Sequence, residues 1–384
     1  MMARLRKQER RYSLSTKQGW LTSVNAPERA QPENLSRTQI AALSQEANDE
    51  YRELQAVWNA NIGPIHTPQY LRAHKHLWNI LNTNREDGDQ PRLPAAIDAY
   101  PGLGKSTIAN AFGRAYHRQQ IQLYGEFTEE GHERIPVVRI QLTDETTRRD
   151  LNSMFCRFFN LPGYDRGNAN HLGNKAADAV MACDSTLIIV DDVHFLDMRR
   201  TNGRAVANHF KSLATTFPAT FLYVGVGLKD RGLLDDGLAP EQTELAQNGR
   251  RWTPLTVEPF GIEDEKGRET WRTLLLAIEK SIVLAGKYRG MIADDLSDIL
   301  FARSTGHFAS LMALIKRGCT QAVKTGEECL THDVLSQVKN DAAAEQARQE
   351  LEVAFAAGHL SSRPRRQRQA APAASTGPRR TLSA

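Results

Sequence analysis

An α/β fold is what this chain predicts: a parallel sheet between helices, preceded by a helical N-terminal extension and followed by a small all-α domain. Three observations carry that expectation. From residue 93 onward, short apolar runs alternate with segments of helical period. One run, 93–97, leads through a glycine-rich turn, Ala99-Tyr-Pro-Gly-Leu-Gly-Lys-Ser-Thr107, into a helical pattern. Another, Leu187-Ile-Ile-Val190, is apolar throughout, as a strand covered on both faces must be, and it ends in two carboxylates, Asp191 and Asp192.

The elements follow in order. Residues 1–35 show no sustained periodicity and read as flexible. Residues 36–59 place Ile40, Leu43, Ala47, Tyr51, Leu54 and Val57 at helical spacings, and Gly63-Pro64 stops that helix. A second helix, 68–82, carries Leu71, Leu77 and Leu81 and gives way to the polar loop 84–91. Further strands are expected at 135–142, 186–192, 220–226 and 252–257, with helices at 108–116, 146–160, 169–182 and 206–216. After Glu258-Pro-Phe260 only helices are expected, at 265–285, 293–304, 308–325 and 332–343. The domain limits are then 1–62 for the extension, 63–258 for the α/β domain and 259–345 for the all-α domain. The remainder, 346–384, is a basic tail whose Arg, Pro, Ala, Ser and Gly content is that of a disordered segment.

Composition narrows the setting. The 384 residues suffice for two or three domains. No apolar window is long enough for a membrane span, and the charged N-terminus has no secretory apolar stretch. Four scattered cysteines, with no Cys-x-x-Cys, fit buried thiols in a reducing cytoplasm. The net charge of +4 conceals two basic arms: residues 1–20 carry +5 and residues 361–384 carry +6, leaving about −7 for the body. Such arms attract polyanions, nucleic acid above all.

Strand, glycine-rich turn, Lys-Ser and helix form the phosphate-cradling loop of nucleoside triphosphatases. Successive N–H groups and the helix N-terminus face the phosphates, so Gly102, Leu103, Gly104, Lys105, Ser106 and Thr107 are the expected contacts for ATP. Lys105 reaches the β- and γ-phosphates, and the Ser106 hydroxyl ligates Mg²⁺. Asp191 is expected to hold the hydrated Mg²⁺, with Asp192 orienting or polarising the attacking water. Glu is usual at the latter position. The shorter Asp side chain implies slow hydrolysis. His194 reads as a packing residue near the acids. Arg250 and Arg251, ahead of the last strand, are candidates for an arginine finger acting on a neighbouring subunit.

With these elements in place, the chain resembles an AAA+ ATPase, and more narrowly the transposition regulators of the TniB/TnsC kind, relatives of MuB. The resemblance covers about residues 60–340. It rests on Ile65-His-Thr-Pro68, Gly102–Thr107, Pro136-Val-Val with the helix ending Phe159-Asn-Leu-Pro162, and Leu187-Ile-Ile-Val-Asp-Asp-Val-His-Phe-Leu196. Asn208-His-Phe-Lys-Ser-Leu213, Leu222-Tyr-Val-Gly225, Ser304-Thr-Gly306 and Leu330-Thr-His-Asp-Val334 complete it. It implies a C-terminal helical lid and ATP-dependent rings or filaments on double-stranded DNA. It also implies recruitment of a DDE-type transposase. Arg148, Arg149, Arg199, Arg200 and Arg204 are then candidate phosphate contacts.

Four departures matter. Ala99 replaces the first loop glycine, and Asp192 replaces Glu. Val224-Gly-Val226 offers no polar first sensor, and Ala309 stands where a second-sensor arginine is expected. Together they imply firm ATP binding and weak intrinsic turnover. A signalling or defence switch is the first alternative, although such switches usually carry a large effector. A replication-initiator-like DNA-bound ATPase is the second, with a winged-helix domain expected after its lid.

Overall fold

The computed structural model describes residues 12–85, 92–196, 201–228 and 253–364. Five parallel strands, β1 (Ala95–Ala99), β2 (Val137–Gln141), β3 (Leu187–Asp191), β4 (Thr220–Gly225) and β5 (Thr253–Val257), form one sheet in the order β2-β3-β4-β1-β5. β3 and β4 are buried at every residue, as their unbroken apolar runs require. Helices α4 (Pro68–Thr83), α5 (Lys105–Tyr124), α6 (Arg148–Phe158), α7 (Ala169–Ala182) and α8 (Thr201–Thr216) accompany the sheet. The fold is that of an AAA+ P-loop ATPase, with β1 leading into the glycine-rich turn and α5 leaving it.

The lid comprises α9 (Glu265–Ser281), α10 (Ser297–Ala302), α11 (Phe308–Thr325), α12 (His332–Ser336) and α13 (Ala342–Ala356) around a separate apolar core that includes Trp271, Leu275 and Leu311. The expected helix 293–304 is broken. A π-helical turn, Met291–Asp295, precedes α10, because the buried Glu279 carboxylate takes the N–H groups of Gly290 and Ile292, both at 2.8 Å.

Three expectations for the flanks are corrected. Residues 1–35 are not flexible throughout. Helix α1 (Lys17–Val24) is capped by Thr16 and buries Trp20 completely in the core of the α/β domain. The single helix 36–59 is two, α2 (Arg37–Ala41) and α3 (Gln45–Ala60), because Ser44 turns its side-chain oxygen to the Ala47 N–H and starts a new helix. The disordered tail does not begin at 346. Asp341 caps α13, and the fully buried Arg303 pairs with Glu345 while donating to the carbonyls of Leu335 and Val338. Phe355 packs edge-on against Phe301, and the buried Ser362 bonds to Ser297 at 2.6 Å. These are tertiary contacts that composition does not register.

The N-terminal extension therefore serves both bodies. Trp20 belongs to the α/β core. In the α3 region, Gln55 and Asn59 donate to Val283 O at 3.1 and 2.9 Å, and Arg52 pairs with Glu328 of the lid. Among the described residues the four cysteines are free thiols, two of them buried, and no helix is long and apolar enough to cross a membrane.

Candidate nucleotide site

Each part of the site sits at the C-terminal edge of the parallel sheet, where open α/β sheets bind ligands. Ala99 is the last residue of β1, paired with Val257, and its backbone is not left-handed. Alanine at that position therefore costs the turn nothing. The two positions that do need glycine have it: Gly102 and Gly104 take φ of 79° and 86°, and Gly104 is the N-cap of α5. Helix α5 thus begins at Lys105 with its free N–H groups facing the turn.

Lys105 is half-buried and its Nζ donates to Tyr100 O at 3.1 Å. Burial pushes its ammonium below the ordinary lysine range, and the carboxylates of Asp191, Asp192 and Asp98 push it back in part. Ser106 Oγ donates to Asp191 Oδ1 at 3.1 Å, so the two expected metal ligands meet. A hydroxyl and a carboxylate oxygen suit a hard cation that takes its remaining ligands from phosphate and water, so the residues fit Mg²⁺. Among the described residues no cluster of three His, Cys, Asp or Glu side chains could hold a metal by itself.

Asp192 follows β3 in a left-handed conformation, φ 59°, a strained one for a residue with a side chain. The bend carries its carboxylate toward β2, where Gln141 Nε2 donates to Oδ2 at 2.8 Å. His194 Nδ1 lies 3.9 Å from Asp192 Oδ1. Gly225 ends β4 so close to the His194 backbone that an added Cβ would stand 3.1 Å from its nitrogen and 2.4 Å from Leu228 Cδ2. A side chain at this position would require Leu228 and the His194 backbone to shift. The lid closes directly on the turn: Ala309 N donates to Gly102 O at 2.8 Å. Where a second-sensor arginine was to be sought, the backbone itself makes the contact.

Beside the turn, Ile65, Tyr70, Leu103, Ile108, Val257 and Phe308 line an apolar cleft between α4, the α/β domain and the lid. Two residues that motif reading missed complete the polar network: Arg139 of β2, whose Nη2 donates to Asp191 Oδ2 at 2.7 Å, and Gln141. A charged residue inside the run Val-Val-Arg-Ile was the available signal, since a buried guanidinium demands an acid nearby.

The remaining candidates separate. Arg149 is engaged by the carbonyls of Asp165 and Gly167, whereas Arg148 and Arg204 are exposed. Arg199, Arg200, Arg250 and Arg251 lie outside the described residues. If Asp192 activates water, Asp192→Asn will keep ATP affinity within about 3-fold and lower residual hydrolysis by about 100-fold, the lower end for a lost general base. Phosphate release and nucleotide titration check both values. Unchanged turnover would move that role to another group.

Residues 89–228 match the family model described as AAA domain. No curated protein matches the sequence. Among solved structures, the Aeropyrum pernix ORC2 protein in ADPNP–ADP complexes is 15% identical, with a TM-score of 0.53 over 78% of this chain and 73% of that one. The Aeropyrum pernix ORC1 protein in complex with DNA is 12% identical, with a TM-score of 0.54 over 79% of this chain and 72% of that one. At such identities the likeness is one of fold.

Proposed function

We propose that this AAA+ ATPase binds ATP with Mg²⁺, consumes it slowly, and uses the bound nucleotide to assemble on double-stranded DNA as a ring or filament. There it directs target selection and recruits a DDE-type transposase, in the manner of the TniB/TnsC proteins it resembles. The observation that carries the reading is the division within the site. Lys105, Ser106 and Asp191, the residues assigned here to nucleotide and metal, cluster at the glycine turn, with Ser106 Oγ donating to Asp191. The positions that sense or spend the γ-phosphate hold Gly225, Ala309 and a shortened acid, Asp192.

The roles follow from the geometry. The α5 N-terminus and the glycine turn bind the phosphates, and Lys105 stabilises negative charge on them. Mg²⁺, when bound by Ser106 and Asp191, neutralises phosphate charge. Asp192, held by Gln141, meets water less well than a longer Glu would. The direct contact from Ala309 to the phosphate loop supplies a path from bound nucleotide to the lid. The finger from a neighbouring subunit would come from Arg250 or Arg251, and Arg148, Arg204 and the basic arms would track DNA phosphates. A cytoplasmic setting suits this reading.

A second reading, a replication-initiator-like DNA-bound ATPase, is favoured by the fold likeness to the two ORC proteins, one of them solved with DNA. Electron microscopy of the full chain with duplex DNA tests assembly. Ordered rings or filaments are expected with ATP and not without it. Nucleotide-independent monomers on DNA would sink the assembly role. Co-purification with the transposase of a neighbouring reading frame separates the two readings: ATP-dependent capture supports transposition, and its absence favours the second.

A further inference from the structure

Arg139 lies in the middle of β2, only 6% exposed, among Val137, Val138 and Ile140. A guanidinium there requires acceptors on every side. It has them. Nη2 donates to Asp191 Oδ2 at 2.7 Å and Nε to Asn110 Oδ1 at 3.2 Å, while Nη1 reaches Ser15 Oγ at 3.2 Å and Gln141 Oε1 at 3.3 Å. The other oxygen of Asp191, Oδ1, takes Ser106 Oγ at 3.1 Å and the Asp192 N–H at 3.0 Å. The acid expected to hold the metal is thus bonded at both oxygens, and a fixed cation inside the protein balances its charge.

We propose that Arg139 is a built-in counter-ion that takes over part of the charge compensation a divalent metal supplies, so that ATP is held here with little dependence on Mg²⁺. The inference rests on the ATP reading given above. An unbalanced carboxylate beside the phosphate site repels a polyphosphate, and in most sites of this kind the metal removes that repulsion. Here the Arg139–Asp191 pair is buried on both sides, with side-chain exposures of 8% and 4%, so water screens it little. Asn110, Ser15 and Gln141 hold the guanidinium in place, so it balances the acid before any ligand arrives. Gln141 also extends the network to Asp192. Arg139 is a positioning residue in this scheme, acting on the phosphates through Asp191.

The test uses the full chain and a ribose-labelled fluorescent ATP, titrated once with Mg²⁺ and once with EDTA. For the wild type, the dissociation constant rises on metal removal by less than about 10-fold. For Arg139→Met the same ratio exceeds about 10-fold, because one unit charge in a poorly screened site is lost. Arg139→Lys keeps the charge and stays on the wild-type side of that limit. A wild-type ratio above about 10-fold overturns the inference, and that result needs no variant to fold. An Arg139→Met ratio equal to the wild-type ratio also overturns it. Binding in Mg²⁺ alone defeats this inference and spares the ATP reading. Failure to bind under either condition defeats both.

Discussion

Lys105→Ala will weaken ATP binding by about 100-fold or more, the loss expected when one partner of a desolvated charge pair is removed. The effect is large because the site has already placed the ammonium where burial disfavours its charge, with three carboxylates partly offsetting that cost. A triphosphate brings negative charge to a half-buried cation, and the interaction is correspondingly strong. The fold should tolerate the change. Lys105 opens α5, its amine bonds only locally to Tyr100 O, and alanine is a good helix former. Nucleotide titration with circular dichroism as a control checks this. ATP-dependent assembly on DNA should vanish in the same variant. A Lys105→Ala protein with wild-type affinity would remove lysine from the site, and with it the phosphate-loop assignment.

How much of this was legible in the sequence depends on whether a feature is local. The strand order could not be read, but the strands could, because β3 and β4 are apolar runs and helices such as Ala169–Ala182 and Phe308–Thr325 keep their period to their ends. The phosphate loop and the acid pair were legible because each is a contiguous stretch with chemical meaning at every position. Arg139 was not. Its meaning lies in Asp191 on the next strand, Asn110 on α5 and Ser15 in the extension, three partners far apart in the chain. The flanks failed for the same reason. Trp20 stands in a polar stretch without periodicity, and only the space left by Gly113 explains it: a Cβ there would come within 2.9 Å of Trp20 Cη2. The departures at Ala99 and Ala309 change meaning once seen in place. The first is neutral for the turn. The second brings the lid backbone onto Gly102.

Trp20→Ala will destabilise the chain by about 3–5 kcal/mol, the range for removing a fully buried aromatic. The side chain is 0% exposed, and its Nε1 donates to His117 Nδ1 at 3.1 Å, so truncation leaves both a cavity and an unpaired acceptor. Trp20→Phe separates the two terms, keeping most of the volume while leaving the His117 acceptor unpaired, at about 1–3 kcal/mol. The pH dependence supplies an independent readout. Burial pushes His117 down from 6.5 to about 4, and its neutral form is the one that accepts from Trp20. Between those values the unfolded chain binds a proton that the folded chain refuses. Stability from this residue is therefore complete above about pH 6.5 and falls as the pH drops toward 4, by up to about 3 kcal/mol. In Trp20→Ala, water reaches the imidazole, so that part of the slope shrinks. Denaturant unfolding of both proteins at pH 7 and pH 5 measures these terms. An unchanged midpoint at pH 7 would mean that the first helix is not part of the core. The functional consequence follows from connectivity: Trp20 anchors a segment that touches Arg139 through Ser15 at one end and the lid through Gln55 and Asn59 at the other. Loosening it should therefore weaken nucleotide retention at temperatures where the sheet itself is still folded.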